Sequence, residues 1–153
     1  MSVSVQEADF DVGAETAALS AGRLDVGAVA TFVGLVRADK LSGAGSEVSA
    51  MTLEHYPGMT ERSLADICDQ ARARWDLEDL LVIHRYGELR PLDQIVLVVT
   101  TSAHRGEAFL ACEFIMDYLK TQAPFWKKET TAQGERWVQA RDTDDEAAQR
   151  WST

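Results

Sequence analysis

The stretch from Gln94 to Pro124 constrains this chain most. Residues 94–102, QIVLVVTTS, are apolar and β-branched and read as a strong strand. Two residues later begins RGEAFLACEFIMDYLKTQ, residues 105–122. It carries Ala108, Phe109, Cys112, Ile115, Met116 and Leu119 at the spacing of one helix face. Pro124 then stops the helix, because proline lacks the N–H and crowds the preceding turn. A strand that turns directly into a long amphipathic helix needs a helix layer packed on a sheet.

The rest of the chain supplies more of both element types. VGAVATFVGLV, residues 26–36, reads as a buried strand, with Gly34 marking a bulge or a close backbone approach. RADKLSGAGSE, 37–47, is rich in Gly and Ser and reads as a loop. VSAMTLEHY, 48–56, alternates like a strand. Pro57 then opens a helix with Leu64, Ile67, Cys68, Ala71 and Trp75 on one face. LLVIHRYGEL, 80–89, reads as a strand ending at Gly87. FWKKETT and ERWVQA, separated by AQG, predict a closing hairpin, and DTDDEAAQRW a short terminal helix. The first 25 residues or so carry no recognisable signature. Strands, helices and hairpins in this order predict one α+β domain over residues 1–153.

Charge and composition narrow the function. The formal net charge is −10, which opposes general binding to nucleic acid or anionic membrane. A local basic cluster must hold against that field, and this points to a specific small anion. No apolar run approaches the roughly 18 residues of a membrane span. The N-terminus lacks a basic region followed by an apolar block, so no secretory signal is expected. Cys68 and Cys112 stand far apart on apolar helical stripes and read as buried thiols in a reducing, cytoplasmic setting.

Three places combine polar residues with structural stops. The chain has four lysines, and Lys120, Lys127 and Lys128 fall within KTQAPFWKKE beside Phe125 and Trp126. Amines next to aromatic rings are partly desolvated and become usable acids, bases or nucleophiles; alternatively they are cations favoured at a helix C-terminus. In TSAHRGEAF, His104 and Arg105 stand where a strand becomes a helix, which makes either an anion site or a solvated cap. Arg37 ends a strand beside the Gly-rich loop and can clamp a phosphate or carboxylate, or simply be solvated. His55 and His84 lack a partner at zinc spacing and read as packing or hydrogen-bonding histidines; Met116 and Trp137 read as core. No phosphate-binding loop, dinucleotide fingerprint, nucleophile elbow or HExxH is present.

Taken together, TFVGLVR, LEHYPGM, IHRYGEL, TSAHRGEAF, FIMDYLKTQAPFWKKE and GERWVQAR closely resemble the large, catalytic subunit of molybdopterin synthase, from about residue 26 to Trp151. The resemblance implies an α/β hammerhead-type fold with an additional antiparallel β-sheet. It implies a sulfurtransferase that moves two sulfurs onto cyclic pyranopterin monophosphate, forming the molybdopterin dithiolene in molybdenum cofactor biosynthesis. The donor is a small ubiquitin-like subunit whose C-terminal Gly-Gly carries a thiocarboxylate. The assembly implied is a homodimer of large subunits with a small subunit at each end, a heterotetramer. Lys120 and Lys127 match the catalytic lysines. Leu35, Val36, Arg37, His104, Arg105, Lys128 and Glu129 match substrate-binding positions, as do both lysines, and Arg141 matches an arginine given to the neighbouring subunit's site. No metal or organic cofactor is implied. A non-catalytic anion- or nucleotide-binding module, using the same basic pocket to recognise a partner, and a different acyl- or phosphoryl-transfer enzyme remain as alternatives.

Overall fold

The computed structural model describes residues 2–38, 48–131, 134–138 and 142–152. In chain order the elements are β1 (Ser2–Gln6), α1 (Val12–Ser20), β2 (Ala28–Leu35), β3 (Val48–His55), α2 (Met59–Arg74) and β4 (Asp79–Arg85). There follow β5 (Gly87–Leu89), β6 (Gln94–Ser102), α3 (Arg105–Gln122), β7 (Phe125–Thr131), β8 (Gly134–Val138) and α4 (Asp142–Gln149). They build two four-stranded sheets, ordered β1-β4-β6-β2 and β5-β3-β7-β8. Only the β1–β4 pairing is parallel; the second sheet is antiparallel throughout. The fold is α+β, as the element order predicts.

The first sheet is covered on both faces, and strand periodicity decides which residue goes where. Leu80 and Val82 of β4 join Val96 and Val98 of β6 in the main core. Leu64, Ile67, Cys68 and Ala71 of α2, with Ala111, Phe114, Ile115 and Leu119 of α3, close that core. The intervening residues Leu81, Ile83, Leu97 and Val99 point the other way and pack with Phe10, Val12 and Leu19. Each fully buried Leu, Ile or Phe contributes roughly 1.5–3 kcal/mol of transfer free energy, so the apolar run of β6 sets the centre of the molecule. Both cysteines are free and buried, as expected; burial pushes the Cys68 thiol up to about 12 and the Cys112 thiol up to about 11.

Several expectations are corrected. Residues 28–35 form a strand, but an edge strand, with Val29, Phe32 and Leu35 exposed. Phe109 and Trp137 are exposed at 65% and 59%, so neither belongs to the core. The 80–89 strand divides at Tyr86, and its halves, β4 and β5, enter different sheets. Gly87 makes this possible with φ of 89°, a conformation that costs other residues a Cβ clash. The unassigned N-terminus supplies β1 and α1, with the Asp11 carboxylate accepting from the Ala14 N–H at 2.9 Å as the helix cap. The hairpin and terminal helix form as expected. The expected loop lies largely in 39–47, outside the described residues.

Candidate active site

A cleft of about 590 Å³ opens where the two sheets meet the C-terminal end of α3. Three elements deliver its cations. The first is the end of β2. The β2–β6 register slips between Gly34 and Leu35, and a Cβ on Gly34 would lie 2.7 Å from the Val96 Cγ1 and 3.2 Å from the Ile95 Cγ2. Only glycine lets the strand approach this closely before it bulges, and bulges re-aim the side chains that follow. The Val36 N–H donates to the Asp93 carbonyl at 2.9 Å, and the Val36 carbonyl accepts from the Leu92 N–H at 2.7 Å. Thus pinned, Val36 is buried and Leu35, Val36 and Arg37 all line the cleft.

The second element is the last turn of α3. The Ala123 N–H donates to the Leu119 carbonyl at 3.3 Å, and the helix ends before Pro124. Lys120 is the basic residue of this turn, where the helix's partial negative charge favours a cation. Met116 and Leu119 form the apolar wall beneath it. The third element is β7. Side chains on a strand alternate, so Phe125, Lys127 and Glu129 share one face and all line the cleft. Their partners across β3 include Leu53 opposite Lys127 and Met51 opposite Glu129, and these line it too. Thr60 ties the layout together: its hydroxyl donates to the Pro124 carbonyl at 3.2 Å and accepts from the Tyr56 N–H at 3.1 Å.

The same alternation turns Trp126 and Lys128 outward. Trp126 packs edge-on against Tyr56 with ring centroids 4.4 Å apart. Lys128 pairs with the Glu135 carboxylate at 3.1 Å and sits over the Trp137 ring at 5.3 Å. Of the two aromatics beside the lysines, only Phe125 shares the cleft with Lys127, which is half-buried. Lys120 is exposed rather than enclosed by rings, so the expected aromatic desolvation is not its environment within one chain. His104 and Arg105 head α3 and are exposed. At about 1.5 Å of rise per residue, Arg105 stands roughly 22 Å along the helix from Lys120. One chain therefore brings Leu35, Val36, Arg37, Lys120, Lys127 and Glu129 together, and does not bring Lys128, His104 or Arg105 to them. Arg141 lies outside the described residues.

Three cations face the cleft, against the carboxylates of Glu129 and Asp144. In a chain of net charge −10 this is a local reversal of sign, suited to an anionic ligand. The volume suits a small organic molecule. The sequence reading missed His84 as a cleft residue. The ring is 5% exposed, lines the cleft and stacks on Phe125 with centroids 3.8 Å apart. Its signal was available: a lone imidazole that follows the aliphatic run 80–83 at an inward position of the strand. Among the described residues no group of His, Cys, Asp or Glu could hold a metal, and no helix is long and apolar enough to cross a membrane.

Known proteins match this arrangement over most of its length. The family described as MoaE protein matches residues 5–122. A curated relative from Ralstonia nicotianae, named molybdopterin synthase catalytic subunit, is 68% identical over 149 residues, covering 97% of this chain and 83% of that protein. A solved structure of a molybdopterin biosynthesis MoaE protein from Burkholderia ambifaria MC40-6 superposes with a TM-score of 0.83 at 56% identity, covering 99% of this chain and 98% of that one. The crystal structure of molybdopterin synthase from Staphylococcus aureus superposes with a TM-score of 0.80 at 28% identity, covering 89% of this chain and 96% of its counterpart. With the family match spanning well over half of its residues and relatives alike along nearly its whole length, the chain belongs to the MoaE family.

Proposed function

We propose that this chain is the catalytic subunit of a molybdopterin synthase. It transfers two sulfurs from a thiocarboxylated small ubiquitin-like subunit to cyclic pyranopterin monophosphate and so forms the dithiolene. The observation that carries this reading is the cleft that gathers Arg37, Lys120 and Lys127 in an otherwise acidic chain. A cyclic phosphate needs such cations, and Arg37, at the mouth beside the bulge, is suited to clamp it. The Gly-Gly tail is narrow, and it reaches the cleft past the exposed Lys120. The thiocarboxylate sulfur attacks a side-chain carbon of the pterin and forms a C–S bond, while the C–O bond at that carbon breaks and its oxygen departs, either protonated as water or held on the phosphate. Water then cleaves the acyl–sulfur bond, the tail leaves as a carboxylate, and the sulfur stays on the substrate. Two rounds exchange two oxygens for two sulfurs without net oxidation or reduction.

Lys120 protonates the leaving oxygen or steadies the tetrahedral species at the acyl carbon, and Lys127 binds substrate and offsets developing negative charge. Glu129 completes the wall next to Lys127. The chain works as a homodimer within a heterotetramer. Arg141, His104 and Arg105 of a second copy supply the remaining anion-binding groups; the roughly 22 Å of helix between Arg105 and Lys120 makes a second copy the short route for the pair at the head of α3. Lys128 belongs to the same segment, with its own amine engaged at Glu135. Buried free thiols at Cys68 and Cys112 support a reducing, cytoplasmic setting.

The test is incubation of the chain with thiocarboxylated small subunit and the cyclic pterin, with mass spectrometry of the product. A product in which two oxygens are replaced by sulfur is expected. Lys120→Arg keeps the charge but not the compact amine, so a catalyst loses turnover, whereas a simple anion binder keeps its ligand affinity. Absence of sulfurated product from a folded, partner-bound chain overturns the reading.

A further inference from the structure

Among the described residues, His84 is the cleft histidine, and its imidazole is both buried and doubly restrained. Its Nδ1 lies 2.9 Å from the Arg85 carbonyl oxygen. A carbonyl only accepts, so Nδ1 carries the hydrogen and Nε2 of the neutral ring carries a lone pair. The Phe125 ring stacks on the imidazole at 3.8 Å with 22° between planes, which fixes the ring's rotation as well as its position. Phe125 precedes Lys127 by two residues on the same face of β7, so the stack also sets where Lys127 begins. Burial, helped by the Lys120 and Lys127 charges and by His55, pushes the imidazole down to about 3. The ring therefore stays an acceptor across the working pH range, in a cleft whose cations are all donors.

We propose that His84 is a positioning residue for the transfer: its ring, held by the Arg85 carbonyl and by Phe125, presents Nε2 as a hydrogen-bond acceptor on the cleft floor and orients the Lys120 and Lys127 amines. This rests on the proposed sulfur transfer for its consequence in turnover, but not for the geometry itself. A neutral acceptor in the cleft that Lys120 and Lys127 also line directs their hydrogens without cancelling their charge. A carboxylate there would neutralise the site, and a charged imidazole would repel both amines.

Three variants separate the roles of the ring. His84→Phe keeps the stack and the volume and removes both nitrogens. His84→Asn keeps a donor for the Arg85 carbonyl and removes the acceptor at Nε2. His84→Gln restores an acceptor near the Nε2 position. The first measurement uses the chain alone. Brief labelling with acetic anhydride is read by peptide mass at Lys120 and Lys127, with the outward-facing Lys128 as internal reference. The labelling of Lys120 and Lys127 relative to Lys128 should change several-fold in His84→Phe and His84→Asn and return towards wild type in His84→Gln. The second measurement is sulfur transfer from the thiocarboxylated partner. Losing one hydrogen bond that orients a reacting group predicts about a tenfold fall in kcat with KM for the partner unchanged, and recovery in His84→Gln. If His84→Phe does not fold, His84→Asn carries both readings. Wild-type labelling ratios in a folded variant that lacks the acceptor overturn the proposal, whatever the turnover assay gives. A wild-type chain that transfers no sulfur overturns the proposed function and leaves the labelling result to decide the role of His84.

Discussion

At the residue scale, strand alternation separates side chains that the sequence lists side by side. Lys127 faces the cleft and Lys128 faces Glu135 and Trp137. Lys127→Ala should lower kcat/KM by ~10²-fold or more, as expected for a group that acts on developing charge. Lys128→Ala removes an ion pair that is partly exposed and should cost only ~0.2–1 kcal/mol of stability, with kcat/KM within a few-fold of wild type. Steady-state kinetics on both variants checks the ordering; equal losses would place Lys128 in the site by a route one chain does not provide. His84 makes a separate prediction about pH. Above pH ~6.5 the ring is neutral in both folded and unfolded chains, so its burial carries no titration cost. Below that, the unfolded chain binds a proton that the folded chain refuses until the pH approaches about 3. Stability should therefore fall with acidification across this window, by at most about 1.4 kcal/mol per pH unit from this group. His84→Gln should lose that component, and urea titrations at several pH values, wild type against variant, measure it. Parallel pH dependence in the two proteins would contradict the assigned burial of the ring.

At the level of elements, the best-read parts of the chain were those whose pattern has one physical solution. The aliphatic run of β6 and the stripe of α3 admit only a central strand and a packed helix, and both formed within the expected bounds. The β2 segment shows the limit: an apolar run is compatible with a buried strand or with an edge whose exposed Val29, Phe32 and Leu35 await a neighbour. β1 was illegible because its pattern, SVSVQ, becomes a strand only through parallel pairing with β4, far away in sequence. The cleft was legible in its cations and not in its floor, since the inward aim of His84 depends on two sheets meeting. The turn between β5 and β6 offers a test at this scale. Leu92 has φ of 76° and is 81% exposed, with Pro91 before it and the Asp93 N–H donating to the Arg90 carbonyl at 2.9 Å. That is the third position of a tight turn, where glycine or asparagine is favoured. Leu92→Gly should relieve roughly 1 kcal/mol of left-handed strain, and it removes no buried contact. Thermal unfolding should show an unchanged or higher midpoint. A lower midpoint would mean that the Leu92 side chain contributes more than its conformation costs.

For the whole molecule, the question is why Lys120 and Arg105 stand at opposite ends of one helix when both are expected to bind the same substrate. A rigid α3 separates them by roughly 22 Å, and within one chain Lys120 lines the cleft while Arg105 does not. The exposed face of β2, with Phe32 and Leu35, and the exposed Phe109 of α3 provide apolar surface near the cleft for a neighbour. A two-fold assembly would let the head of one α3 approach the cleft beside the end of the other, and each site would then draw on both chains. Mixing mutants decides this. Lys120→Ala and Arg105→Ala should each be nearly inactive alone. In a mixed dimer with shared sites, one cleft inherits both defects and the other receives an intact Lys120 and an intact Arg105. Half of a randomly reassorted population is mixed, and half of the clefts in those dimers are intact, so roughly a quarter of wild-type sites should return. The measurement is sulfurated product after the two mutants are unfolded and refolded together, against each refolded by itself. Exchange is confirmed by the intact mass of differently tagged subunits. If mixed dimers form and no activity returns, Arg105 acts within its own chain or outside the site, and its place at the head of α3 serves the helix alone.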